Sequence, residues 1–201
     1  MTQKTGWLGA SGREFCLCSL EKEDIEETLQ LMDRCVGENL YQKEELEQAI
    51  FDALIFDNEV IIEEWVEGVE LSVSILGGGW NAHTLPPVEI VTKEGYVTQA
   101  DRLAPEGVEY YAPVRLESLS KDEANAQAIR AEIERAALQV YNALDCKDLG
   151  RVDLIWDGAT ARILDVDVSP DLTASSLFPM ACEASGLSLE AVLDRLVQVA
   201  E

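Results

Sequence analysis

Gly150-Arg151-Val152-Asp153-Leu154-Ile155-Trp156 is followed by Asp157-Gly158 and then by Ala161-Arg162-Ile163-Leu164-Asp165-Val166-Asp167-Val168-Ser169-Pro170. Two runs rich in β-branched and apolar residues around an Asp-Gly predict a hairpin, over Arg151–Trp156 and Ala161–Val168. Side chains alternate along a strand, so Arg151 and Asp153 share one face, and Asp165 and Asp167 share one face. Leu164, Val166 and Val168 are then expected on the opposite, apolar face. Loop length decides whether the two acid sets look the same way, because directly opposed residues of a hairpin lie on one face. An odd loop such as Asp157-Gly158-Ala159 brings all three aspartates together; a strict two-residue turn separates them. Three converging carboxylates repel one another unless a cation sits between them. Hard oxygen donors of this kind suit Mg²⁺, which bridges carboxylates and nucleotide phosphates. Arg151 beside them would serve an anionic substrate or developing charge. From pattern alone, alternating Asp and apolar residues read rather as a solvated strand face.

Upstream of this hairpin, Ile129, Ile133, Ala136, Val140 and Leu144 recur at helical spacing and predict an inward stripe on a long helix over 121–144. Leu71-Ser72-Val73-Ser74-Ile75-Leu76 alternates as a strand, and Val88–Val91 begins another after Pro86-Pro87. Glu59–Val66 reads as a strand too, and 92–112 as a long loop. Helices are expected over 21–35 and 43–55. Downstream, a short helix over 177–185 stops at Gly186, and a last one starts at Ser188 with Leu189, Val192, Leu193 and Leu196 buried. This order suggests an α+β fold, an antiparallel sheet with helices on one side.

The chain has 201 residues, 39 acidic against 15 Lys and Arg, for a net charge of −24. Such a balance excludes a phosphate-backbone binder and an anionic membrane surface as partners. No apolar run approaches a membrane span, and the N-terminal residues lack a signal peptide's apolar core, so a cytoplasmic protein is expected. Five scattered cysteines then read as small core residues.

Further stretches carry a resemblance. Val60-Ile61-Ile62-Glu63-Glu64-Trp65-Val66-Glu67-Gly68-Val69-Glu70-Leu71-Ser72-Val73, Leu85-Pro86-Pro87-Val88-Glu89-Ile90, Tyr111-Ala112-Pro113, Ala143-Leu144-Asp145-Cys146 and Ser169-Pro170 through Ser176-Leu177-Phe178-Pro179 stand in this order. Together with the hairpin they resemble the C-terminal, ATP-grasp part of the D-alanine–D-alanine ligases. The resemblance implies an ATP-grasp-like antiparallel sheet with flanking helices over 40–201, lacking the N-terminal Rossmann-like domain, behind an N-terminal cap segment over 1–39. It implies ATP and Mg²⁺ as cofactors. Glu63 would read the adenine, Glu70 the ribose, and Asp153, Asp165 and Asp167 would ligate Mg²⁺. Arg151 would stabilise the tetrahedral oxyanion, and Ser176 with Leu177 would bind the carboxylate of the incoming D-alanine.

Departures weigh against full activity. The family's Glu-x-Asn is Asp165-x-Asp167 here, and its Pro-Gly is Pro170-Asp171, which sets a negative side chain where a backbone N–H should serve the oxyanion. Of a loop motif containing a phosphate-binding lysine, only the cation Arg102 survives, and Arg is not equivalent to Lys there. The expectation is therefore a degenerate nucleotide- or metal-binding or regulatory module, in a homodimer or with a partner protein covering the face left by the missing domain. The alternative is an active ATP-dependent carboxylate–amine ligase, serving peptidoglycan precursor synthesis, completed by a partner polypeptide.

Overall fold

The computed structural model describes residues 5–8, 14–17, 48, 50–52, 54–56, 66–92 and 107–200. Two compact units make up the chain, Met1–Trp65 and Val66–Glu201. In the first, β1 (Thr5–Leu8) pairs antiparallel with β2 (Glu14–Leu17). The helix expected over 21–35 and nearly all of the strand over 59–66 lie outside the described residues.

The second unit is built on a six-stranded sheet of β3 (Val69–Leu76), β4 (His83–Thr84), β5 (Val88–Thr92), β6 (Val108–Tyr111), β7 (Leu149–Trp156) and β8 (Ala161–Asp167). Its main path runs β6-β5-β3-β7-β8, with β4 beside β3, and every described pairing is antiparallel. β3 lies at the centre, and all of its residues from Leu71 to Leu76 are buried. β6 lies within the stretch that the sequence suggested was a loop. Residues 93–106 are outside the described part.

Between β6 and β7 come α1 (Leu116–Leu119) and α2 (Glu123–Ala143); α3 (Leu177–Ala184) and α4 (Leu189–Ala200) close the chain. Asp122 caps α2, its side chain accepting from the Asn125 N–H at 2.7 Å. The stripe that α2 buries is Ala126, Ile133, Ala137 and Tyr141. The expected inward Leu144 is 60% exposed, because it caps the helix end, and Tyr141 takes the sheet-facing position instead. A buried tyrosine needs a partner, and its hydroxyl donates to the Gly77 carbonyl at 3.0 Å. Burial, with acidic neighbours, pushes that phenol up to about 12.

Helices cover both faces of the sheet, not one. Leu71, Val73 and Ile75 of β3 pack with Val152, Leu154 and Trp156 of β7 against α2. On the opposite face Leu76, Val88 and Leu149 pack against Phe178, Ala181 and Cys182 of α3 and Val192 of α4. In α4, Val192 is buried while Leu193 is 37% exposed, so the apolar face is narrower than the sequence suggested. This second helix layer is short because α3 has only eight residues. Among the described residues, no helix is long and apolar enough to cross a membrane.

Candidate functional site

The hairpin forms, but its geometry differs from both expected turns. Trp156 pairs with Ala161, which leaves the four-residue loop Asp157–Thr160. Asp157 organises it by accepting from the Ala159 and Thr160 N–H groups at 2.9 and 2.7 Å and from Arg162 Nε at 2.8 Å. These bonds, the Thr160 N–H foremost, hold its carboxyl well below the usual range. An even loop on its own would set Asp165 and Asp167 on the core side. A register shift prevents this: Leu154 pairs with Ile163 but Asp153 with Asp165, so Leu164 is an extra, bulged residue.

Past the bulge the acids turn outward. Asp153 stands opposite Asp165, and Arg151 opposite Asp167. The inward positions of β8 are accordingly Ala161, Ile163 and Val166, which pack against the core. The expected apolar face of Leu164, Val166 and Val168 is corrected: Leu164 is 52% and Val168 61% exposed. Only Val166 keeps the expected direction, because the bulge changes which residues look inward.

On this outer face β3 contributes Ser72 opposite Asp153 and Ser74 opposite Arg151. Ser72 Oγ donates to Asp153 Oδ1 at 2.8 Å. Arg151 Nε lies 2.9 and 3.2 Å from the two Asp153 oxygens, Nη2 lies 2.9 Å from Oδ2, and Nη2 is 3.6 Å from Asp167 Oδ2. Burial of Arg151 works against its charge, but the bond to Asp153 and the neighbouring aspartates outweigh it and raise its pKa. Asp165 turns back to accept the Val166 N–H at 2.8 Å, and Asp167 accepts the Ser169 N–H at 2.9 Å.

Glu70 is half-buried on the same face, opposite Ile155. Ser176 precedes α3, with its hydroxyl 2.7 Å from Thr173 Oγ1. Asp171 accepts from the Thr173 N–H at 2.9 Å and from Thr173 Oγ1 at 3.0 Å. The Thr173 N–H, with help from the Ser176 hydroxyl, holds the Asp171 carboxyl below its ordinary value. Glu63 and Arg102 lie outside the described residues.

The sequence reading singled out neither Ser72 nor Ser74. Their signal was present: in Leu71-Ser72-Val73-Ser74-Ile75 the two polar residues share one face of a central strand.

The donor set for a divalent cation can be tested directly. Carboxylate oxygens are the right chemistry for Mg²⁺. In this arrangement, however, both Asp153 oxygens are held by Arg151, and one also by Ser72. Asp165 turns to its own backbone. No group of three or more acidic, His or Cys side chains among the described residues is arranged to hold a metal ion. As they stand, the three aspartates do not fit Mg²⁺; an ion would first have to displace Arg151.

This polar half-face, beside a short helix layer on an antiparallel sheet, is the frame against which other proteins can be compared. Residues 36–198 match the family described as D-ala D-ala ligase C-terminus. The chain belongs to this family. It is 37% identical over 145 residues to the D-alanine–D-alanine ligase of Bordetella avium, covering 72% of this chain and 43% of the relative. To the enzyme of Carboxydothermus hydrogenoformans it is 34% identical over 164 residues, covering 81% of this chain and 49% of the relative. The chain thus spans about half the length of these curated relatives.

Solved structures agree on the fold. The VanG D-Ala:D-Ser ligase of Enterococcus faecalis superposes with a TM-score of 0.69 at 23% identity, over 89% of this chain and 54% of its own. The D-alanine–D-alanine ligase of Bacillus anthracis, solved with ATP, gives 0.59 at 22% identity, over 79% of this chain and 48% of its own. The ATP-grasp-like sheet with flanking helices expected from the sequence is therefore the fold of this D-Ala-D-Ala ligase C-terminal domain.

Proposed function

We propose that this ligase-type domain holds ATP on the polar half-face of its sheet as a nucleotide-binding or regulatory module, and does not by itself ligate carboxylate to amine. Arg151 carries the argument. The resemblance gives this residue to a developing oxyanion, yet here Asp153 and Asp167 both neutralise it. Oxyanion stabilisation needs donors aimed at the charge that develops, and a guanidinium already bound to a carboxylate supplies little. Asp171 supports the same reading. It is an ionised group bonded to Thr173 beside Ser176, where the resemblance places the incoming carboxylate.

Glu70 is the described residue suited to nucleotide, its carboxylate accepting ribose hydroxyls; Glu63 and Arg102 extend the proposal to adenine and phosphate. Mg²⁺ belongs to the family reaction, and any contribution of Asp153, Asp165 and Asp167 to it requires Arg151 to move. No step is assigned to the metal.

Calorimetry with ATP and Mg²⁺, followed by assay of ADP release with D-alanine added, tests the reading. Saturable heat without D-alanine-dependent ADP release is expected. Absence of heat at millimolar nucleotide would refute nucleotide binding, and D-alanine-dependent ADP release would refute the lack of ligation. A second reading is favoured by the coverage: the chain matches about half of each relative, so ligation together with the other half, in the same or another polypeptide, is its natural form. A homodimer or partner protein belongs to both readings, and sedimentation velocity showing monomer at all concentrations would remove the homodimer.

A further inference from the structure

We propose that Arg151 is the resident cation of the acid cluster, excluding divalent ions from it, and that Ser74 is the seat its guanidinium takes when such an ion enters. Two independent observations meet here. The first is the occupancy just described: a planar fork bidentate on Asp153, with a further contact to Asp167. Guanidinium and carboxylate match in shape, which makes this a stronger and more specific pairing than a lysine ammonium achieves. Three aspartates and one arginine leave the cluster at −2, so attraction for a second cation persists while both Asp153 oxygens are engaged by Arg151.

The second observation is Ser74. Its residue is 0% exposed, and its Oγ has no hydrogen-bond partner among the described residues. A buried hydroxyl left unpaired is costly, and most buried polar groups avoid it. Ser74 lies directly across the β3–β7 ladder from Arg151 and on the same face. The orphan hydroxyl is thus an unused acceptor on the position directly opposite Arg151. With the guanidinium on Asp153, Ser74 lacks a partner; with it on Ser74, Asp153 opens to an ion. Neither state satisfies everything without a ligand, and that gives the cluster two settings.

The experiment uses Mn²⁺ alone, titrated into the full chain with free ion read by electron paramagnetic resonance. No nucleotide is present, so this result and the nucleotide result stand apart. Arg151→Gln should bind Mn²⁺ at least tenfold more tightly than the unmodified chain. Arg151→Lys, which keeps the charge but lacks the planar fork, should gain at least threefold, and it carries the test if the glutamine variant fails to fold by circular dichroism. Adding Asp153→Asn to either variant should abolish the gain. Ser74→Ala should bind at least threefold more weakly, since the displaced guanidinium then has no acceptor. Equal Mn²⁺ affinity in the unmodified chain and in every folded Arg151 variant would overturn the exclusion, as would a gain that survives Asp153→Asn. Unchanged affinity in Ser74→Ala would overturn the seat.

Discussion

Gly150 lies in β7 immediately before Arg151, on the face covered by α2. A Cβ added there would stand 2.6 Å from Tyr141 Cε2 and 3.1 Å from the Asp167 carbonyl oxygen. Carbon pairs rest at about 3.5–4.0 Å, so Gly150→Ala forces the ring back by roughly 1 Å. Tyr141 is fully buried, and overpacking of this kind costs about 1–3 kcal/mol. Moving the ring also strains the 3.0 Å bond from its hydroxyl to the Gly77 carbonyl, worth ~1 kcal/mol. The sum is about 2–4 kcal/mol, and at ~3 °C per kcal/mol for a chain of this size the melting temperature should fall by about 6–12 °C. Urea unfolding of a double-mutant cycle isolates the cause. In a Tyr141→Leu background the offending ring atom is gone, so Gly150→Ala should cost at least ~1 kcal/mol less there. Equal cost in both backgrounds, within ~0.5 kcal/mol, would show that the clash with Tyr141 is not what the glycine avoids.

Four further outcomes are expected. Glu89 is 3% exposed and accepts from Arg115 Nε, Nη2 and the backbone N–H at 3.0, 2.8 and 3.2 Å. Glu89→Ala should therefore destabilise by about 3 kcal/mol in chemical unfolding. Burial raises the Glu89 pKa, but the bonds from Arg115 and Ser118 outweigh it and hold it below the ordinary 4.5. Its stabilisation is present above that value and lost as pH falls through the lower folded value, so stability should drop with acid below about 4.5 more steeply in the unmodified chain than in Glu89→Gln. Asp171→Gly removes a carboxylate from beside Ser176 and should raise any ATP hydrolysis measured by phosphate release; an unchanged rate would show that this position is not the block. Ser72→Ala, which removes one donor to Asp153, should cost about 1–2 kcal/mol in thermal unfolding while leaving the Arg151 pair in place.

The long helix, the central strand and the hairpin were legible because their apolar periods are clean: Leu71-Ser72-Val73-Ser74-Ile75 can face only one way once a core exists. The bulge was not legible. Nothing in Ile163-Leu164-Asp165 marks one of two adjacent residues as surplus, and the decision rests on which pairs of β7 and β8 can bury Ile163 and Val166 together. Helical spacing from Ile129 through Val140 leads to Leu144, whereas Tyr141 is buried because the sheet offers the Gly77 carbonyl for its phenol. The burial of Glu89 is not legible in sequence, since a charge in a strand reads as solvated until Arg115, 26 positions later, is seen beside it. The resemblance grouped the aspartates with Arg151, whereas the strand pattern alone left open whether they share a face, and their mutual engagement depends on side-chain geometry that spacing does not encode.

The surplus residue in β8 has a consequence for association. Among the described strands β8 is outermost in the sheet, and an outermost strand is a template for another chain. Leu164 interrupts its hydrogen-bonding rhythm midway, and Asp165 adds a negative charge at the same point. Two copies of so acidic a molecule would meet there with mismatched ladders and opposing carboxylates. A dimer of this protein should accordingly be sought away from that border, not as one continuous sheet.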